Sequence, residues 1–138
     1  MDIFNHLAEI NWLAVIAASV AAFFLGGIWY SKKLFGARWM QEIGLTEGST
    51  DQTHVTRTFI ATFVLQFIAA TALAVFIGTE SSWISGLQAG ALIGLLWIAT
   101  AYAITYLYEQ RSMRLFLINA GFYVVQFAVM GTILGGWH

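Results

Sequence analysis

LGGIWYSKKLFGARW, residues Leu25 to Trp39, decides how the rest of the chain is laid out. A long apolar segment ends there in an aromatic pair, Trp29 and Tyr30. Lys32 and Lys33 follow at once, and then a short stretch begins with its apolar residues gathered on one side. Amphipathic rings settle at the headgroup level of a bilayer, and lysines stay on its cytoplasmic side. The pattern predicts a helix that leaves the membrane on the cytoplasmic side and turns to lie along the surface. Trp29, Tyr30, Lys32, Lys33 and Trp39 are its expected interfacial anchors.

Working outward, four stretches hold no Asp, Glu, Lys or Arg and reach the roughly 20 residues that a span requires. They are 10–31, 58–79, 81–108 and 115–137. The third is longer than needed, so tilt or projection beyond the lipid is expected. Open strands in hydrocarbon would leave their backbone groups unpaired, and none of these runs alternates as a barrel strand does. The expected fold class is an all-α integral membrane protein, a four-transmembrane-helix bundle occupying 1–138 as a single membrane domain. A short interfacial cytoplasmic helix is expected at about 34–44, with a flexible connector at 45–57.

Composition agrees. Charged residues make up 9% of the chain, against about 25% in a typical soluble domain, while 59% is hydrophobic. A soluble domain could not cover its surface with so few charges. The net charge of −1 argues against the basic face that nucleic acid requires, so no nucleic-acid partner is expected. There is no Cys, hence no disulfide, thiolate metal site or thiol nucleophile, and no Pro to break a span. The first apolar stretch exceeds the roughly 7–15 residues of a signal core and has no Lys or Arg before it, which predicts an uncleaved anchor.

Orientation follows from the flanks. Residues 1–9 contain no Lys or Arg, the first loop has Lys32, Lys33, Arg38 and Arg57, and the second has none. The third has Arg111 and Arg114, and the C-terminal end has none. All six positive charges fall on one side, so both termini are expected outside, on the periplasmic face of a bacterial inner membrane. Trp12, Trp83 and Trp137 fall at the outer boundary and Trp29 at the inner one. Only Trp97 lands mid-span.

On the interfacial segment Phe35, Gly36, Trp39, Met40 and Ile43 share one arc and Arg38, Gln41 and Glu42 the other, with Leu34 out of pattern. Arg38 and Glu42 are spaced to pair. In the third span Gly86, Gly90 and Gly94 make a small-residue ridge, and Ala14, Ala18, Ala22 and Gly26 make another in the first. Lipid-embedded helices attract one another through close backbone packing, so these ridges are expected to contact each other or a second subunit. That predicts a homo-oligomer. A gapless register laying Arg57 on Arg114 also lays Phe59 on Phe116 and Gly78 on Gly135, too few matches to carry an internal repeat.

No span contains an ionisable acid or base, which disfavours proton-driven pumps built on a buried carboxylate. What remains is neutral polarity. Asn119, Tyr123 and Gln126 form one stripe, Thr58, Thr62 and Gln66 a second, and Tyr102 and Tyr106 share a face opposite the glycine ridge. Such groups must point at each other or at water. They are either interhelical hydrogen bonds or a cytoplasm-facing pocket, with Gln66, Tyr102, Asn119, Tyr123 and Gln126 as the pocket candidates. His6 and His138, with Asp2, Glu9 and Glu80, are expected outside, but no metal-binding spacing joins them, so neither metal nor cofactor is expected. No Ser sits in a nucleophile-type motif, and the only other acids and bases, such as His54 and Glu109, flank the spans; an enzyme is disfavoured.

INWLAVIAA (Ile10–Ala18), GGIWYSKKLFGARW (Gly26–Trp39) and LFLINAGFYVVQFAVMGTILGGW (Leu115–Trp137) resemble the bacterial membrane family of domain of unknown function 1761. The likeness spans nearly the whole chain. It implies a small four-helix membrane protein and carries no activity, substrate or catalytic residue. The family pattern often has a proline after the WY pair where this chain has Lys32 and Lys33, which predicts a looser turn. The expected roles are a homo-oligomeric transporter or binder of a small neutral or lipophilic molecule, or a non-catalytic accessory or scaffold subunit.

Overall fold

In lipid every backbone polar group must be satisfied within its own segment, and this chain meets that demand with helices alone among its described residues. The computed structural model describes residues 3–138. A short helix α1 (Ile3–Ala8) precedes α2 (Trp12–Trp29), a surface helix α3 (Gly36–Ile43) and α4 (Gln52–Ile77). α5 (Trp83–Ile93) runs through a π turn (Gly94–Ile98) into α6 (Ala99–Glu109), and α7 (Met113–Gly136) closes the chain. Four helices are long and apolar enough to cross a membrane: Trp12–Trp29, Gln52–Ile77, Trp83–Glu109 and Met113–Gly136. The four-span bundle read from the sequence is the observed architecture.

The helix ends explain where the spans begin. Asn11 accepts hydrogen bonds from the Leu13 and Ala14 amides, Ser82 from Ser85, and Ser112 from Leu115, so side chains satisfy amides that have no partner inside their helices. Gly44 (φ 81°) stops α3 in the left-handed region. α1 is a short helix ahead of the first span, and one segment differs from expectation: α4 starts at Gln52, so the connector is shorter than 45–57. Nothing in QTHVT breaks a helix, and a helix carries its charges into water as easily as a loop does.

α7 is the hub, packing against α2, α4, α5, the π turn, α6 and α3. The core joins Ala14, Val15, Ala18 and Ala22 of α2 to Ala70 and Leu73 of α4 and to Met130 and Leu134 of α7. The glycine ridge of α5 lies directly on α7. A Cβ on Gly86 would fall 1.9 Å from the Gly131 carbonyl oxygen, and one on Gly90 1.9 Å from that of Phe127. One on Gly131 would lie 2.0 Å from the Gly86 oxygen, and Gly94 abuts Val124. The expectation that the two ridges meet each other or a second subunit is thus corrected. Both are used within the chain, on different partners, and α7 supplies a matching pair, Gly131 and Gly135. Gly26, grouped with the alanines, instead lies under the Phe122 ring. The aligned Gly78 and Gly135 have unlike roles: Gly78 ends α4 at φ 77°, while Gly135 is buried inside α7.

The turn after the WY pair is not loose. The Phe35 amide donates to the Trp29 carbonyl (3.1 Å) and the Gly36 amide to that of Ser31 (2.9 Å). A Cβ at Gly36 would fall 2.1 Å from the Tyr30 carbonyl oxygen, so glycine makes this closure possible where proline is missing. α3 lays Gly36, Trp39, Met40 and Ile43 toward the bundle, with Arg38 and Gln41 exposed. Glu42 does not pair with Arg38; it accepts a 2.7 Å hydrogen bond from Ser112 and ties α3 to the start of α7.

Candidate functional site

Asn119 is the centre of the most elaborate polar arrangement in the chain. It lies two turns into α7, half-buried, with both ends of its amide in use. Tyr30 donates to its Oδ1 at 2.7 Å, and its Nδ2 donates to the Tyr106 hydroxyl at 2.7 Å. One side chain therefore joins the end of α2 to α6. Tyr102 stacks on Tyr123 with centroids 5.4 Å apart and meets Tyr106 edge to face at 5.6 Å. Phe122 bridges Tyr123 (5.1 Å) and Tyr30 (5.4 Å), and Trp39 of α3 closes on Tyr30 at 5.5 Å.

The π turn makes this cluster possible. An α-helix advances about 100° per residue, so unbroken helix would turn Tyr102 about 80° and Tyr106 about 120° away from Gly94. A π turn absorbs one extra residue, which brings both tyrosines back to within about 20° of that glycine. The expectation that they face away from the glycine ridge is corrected for this reason. Ridge and tyrosines face the same helix, α7, one as bare backbone and the other as side chains. The Thr100 hydroxyl donates to the Leu96 and Trp97 carbonyls (2.7 and 3.0 Å), giving the loosened turn a second donor. Trp97 is exposed and meets Phe76 edge to face.

The five pocket candidates fall into two groups. Tyr102, Asn119 and Tyr123 join Tyr30 and Tyr106 at the end with the basic loops. Gln66 and Gln126 pair with each other deeper in the bundle, Gln66 Nε2 donating to Gln126 Oε1 at 3.3 Å. Thr58 and Thr62 contribute to neither, because each hydroxyl donates to its own helix four residues back. Trp29 and Tyr30, expected as interface anchors, direct their polar atoms inward. Trp29 Nε1 donates to the Ile118 carbonyl (2.9 Å) while its ring covers Gly121. Lys32 pairs with Glu47, and Lys33 is exposed. The role of Tyr30 is invisible in its position after a tryptophan, which reads equally well as an anchor.

Outside the cluster, Arg111 lies 5.7 Å from the centroid of the Tyr106 ring and bonds Glu109 (2.7 Å). That hydrogen bond and the carboxylate's charge raise the arginine's pKa further, so the cation facing Tyr106 is permanent. At the opposite end a crevice of about 30 Å³ is lined by residues including His6, Glu9, Asn11, Trp137 and His138. That is room for about one water. Among the described residues no three His, Cys, Asp or Glu side chains are grouped to hold a metal, and Asp2 lies outside those residues.

The cluster and the bundle together define a small four-span membrane protein with a polar–aromatic cluster at the end bearing its basic loops. A family model described as "Protein of unknown function (DUF1761)" matches residues 13–135, and the chain belongs to that family. No curated protein and no solved structure matches it.

Proposed function

We propose that the protein binds a small neutral or lipophilic molecule at the Tyr30–Tyr102–Tyr106–Asn119–Tyr123 cluster, reached from the cytoplasmic side of a bacterial inner membrane. One observation carries the reading. Polar side chains from two membrane segments converge on a half-buried carboxamide of a third, beside stacked rings. An amide offers a donor and an acceptor together, and aromatic faces hold a flat or apolar body, the usual make-up of a small-molecule site. Charge selects for neutrality, because residues 10–31, 58–79, 81–108 and 115–137 hold no Asp, Glu, Lys or Arg to balance an ion within the membrane. A ligand would exchange its own hydrogen bonds for those of Tyr30 and Tyr106, with α3 as the movable cover over Tyr30. No catalytic step belongs to this reading.

Native mass spectrometry of protein taken directly from membranes into nanodiscs tests it. The expected result is a reproducible non-lipid mass that Asn119→Leu fails to retain. Lipid alone, with a second polypeptide bound, would move the assignment to an accessory or scaffold subunit. The same spectrum reads subunit number. Self-association was expected from the small-residue ridges, and their use inside the chain removes that motive for a homo-oligomer.

A further inference from the structure

The amide pair at the middle of the bundle is separate from the tyrosine cluster and incomplete in a different way. Gln66 and Gln126 each lie close to the middle of their helices, Gln52–Ile77 and Met113–Gly136. They are 7% and 2% exposed. They share one hydrogen bond, from Gln66 Nε2 to Gln126 Oε1, and the Gln66 Oε1 atom is buried with no donor. Polar groups on the neighbouring turns are already engaged. The Thr62 hydroxyl donates to the Thr58 carbonyl, and the buried Ser19 of α2 donates to that of Val15. In water an unpartnered carbonyl finds a donor at once. Deep inside a membrane bundle it does not, and native proteins seldom leave such an atom alone.

We propose that Gln66 Oε1, beside the Gln126 amide, is a mid-membrane binding site for one small neutral hydroxyl donor, either a water molecule or the hydroxyl of a lipophilic molecule. The vacant atom is an acceptor, so its ligand donates. Residues 58–79 and 115–137, which carry the two glutamines, contain no Asp, Glu, Lys or Arg, so the ligand is neutral. Met130, one turn along from Gln126 and fully buried, is an unbranched side chain that can shift to admit a few atoms. The site does not depend on the tyrosine cluster binding anything.

Solid-state NMR on the full chain in perdeuterated lipid bilayers, with glutamine side chains labelled, tests this. Gln66→Leu assigns the Gln66 signal, and Gln110 in an exposed turn is the wet control. The expected result is a hydrogen-bonded Gln66 carbonyl that receives magnetisation from water about as fast as Gln110 does, which identifies water. A hydrogen-bonded carbonyl receiving it from a co-purified non-lipid proton would identify the hydroxyl of a bound molecule. Two results would overturn the proposal: a carbonyl shift without any hydrogen bond, or one explained by the Gln126 amide alone with no transfer from outside the protein.

Discussion

The two ends of α7 are held by opposite means. Toward its C-terminus it meets α5 with almost no side chain between them, Gly86 and Gly90 lying on Gly131 and the Phe127 carbonyl. Toward its N-terminus it meets α2 and α6 mainly through side chains: the Asn119 amide, the Trp29 indole on the Ile118 carbonyl, and a group of aromatic rings. A backbone contact fixes one separation and tolerates no added atom. Side-chain contacts are individually weak in a membrane, and each can be exchanged for water or a ligand. The bundle thus has one end joined backbone to backbone and one joined through exchangeable side-chain contacts, which is why the tyrosine cluster carries the functional proposal and the glycine contact does not.

The largest expected effect lies at the end joined through backbone. Gly90→Ala places a methyl where the Phe127 oxygen stands 1.9 Å away, so the helices must separate. Overpacking of this kind costs about 3 kcal/mol, or more where backbone is the obstacle. Gly27→Ala is the control, since nothing lies within 4 Å of its added atom. It is expected to be neutral or slightly stabilising, because alanine is the better helix former. Reversible unfolding in mixed micelles compares the two. Equal stabilities would mean that α5 and α7 do not touch through backbone.

The second effect tests what divides the two ends. Inserting one alanine after Ala99 adds a residue that the π turn does not absorb and rotates Tyr102 and Tyr106 by about 100° away from α7. The loss of the Tyr106–Asn119 hydrogen bond and the Tyr102–Tyr123 stack is expected to cost about 2 kcal/mol. Because the chain has no cysteine, Tyr106→Cys with Asn119→Cys gives a clean pair for a short bis-maleimide. The pair should link in the chain without the insertion and not in the insertion variant. Linking in both would show that the helix absorbs further residues and that this turn does not set the phase.

This turn also marks the limit of what the residues announce. Spans were legible because apolar length and missing charge are enough to require helices in lipid, and the Gly86, Gly90 and Gly94 spacing announced close packing. Its partner was not legible, since Gly131 and Gly135 follow the same spacing on α7 but were hidden in an otherwise apolar run. The tyrosines were assigned to the wrong side because helical-wheel arithmetic assumes an unbroken α-helix, and GLLWI contains no residue that marks a π turn. Trp29 and Tyr30 show a third kind of limit. The same aromatic pair serves a headgroup interface or an interhelical hydrogen bond, and only the position of α7 decides.

A smaller effect is expected where the side-chain end is tethered to the surface. Ser112 caps α7 through the Leu115 amide and donates to Glu42 of α3. Ser112→Ala loses the cap, at a cost of about 1 kcal/mol. It also frees α3, and hydrogen exchange should accelerate over Gly36–Ile43 while the α5–α7 contact stays protected. Acceleration at both ends would mean the two halves of α7 unfold together and the contrast between them is not energetic.

The smallest effect resolves the side-chain end most finely. Tyr30→Phe removes one hydrogen bond to Asn119 and leaves the ring against Trp39 and Phe122. Tyr106→Phe removes the bond on the other side of the same amide. Each is expected to cost about 0.6 kcal/mol, the average for a hydrogen bond between membrane helices. The double variant carries the information. Donating through Nδ2 to Tyr106 polarises the amide and strengthens its carbonyl as an acceptor for Tyr30, so the two bonds should support each other and the double variant should cost less than the sum of the singles. Strict additivity would make Asn119 two independent helix ties, with no cooperative unit for a ligand to displace. Coupling would mean that a ligand taking one of these bonds weakens the other, loosening α2 and α6 from α7 together.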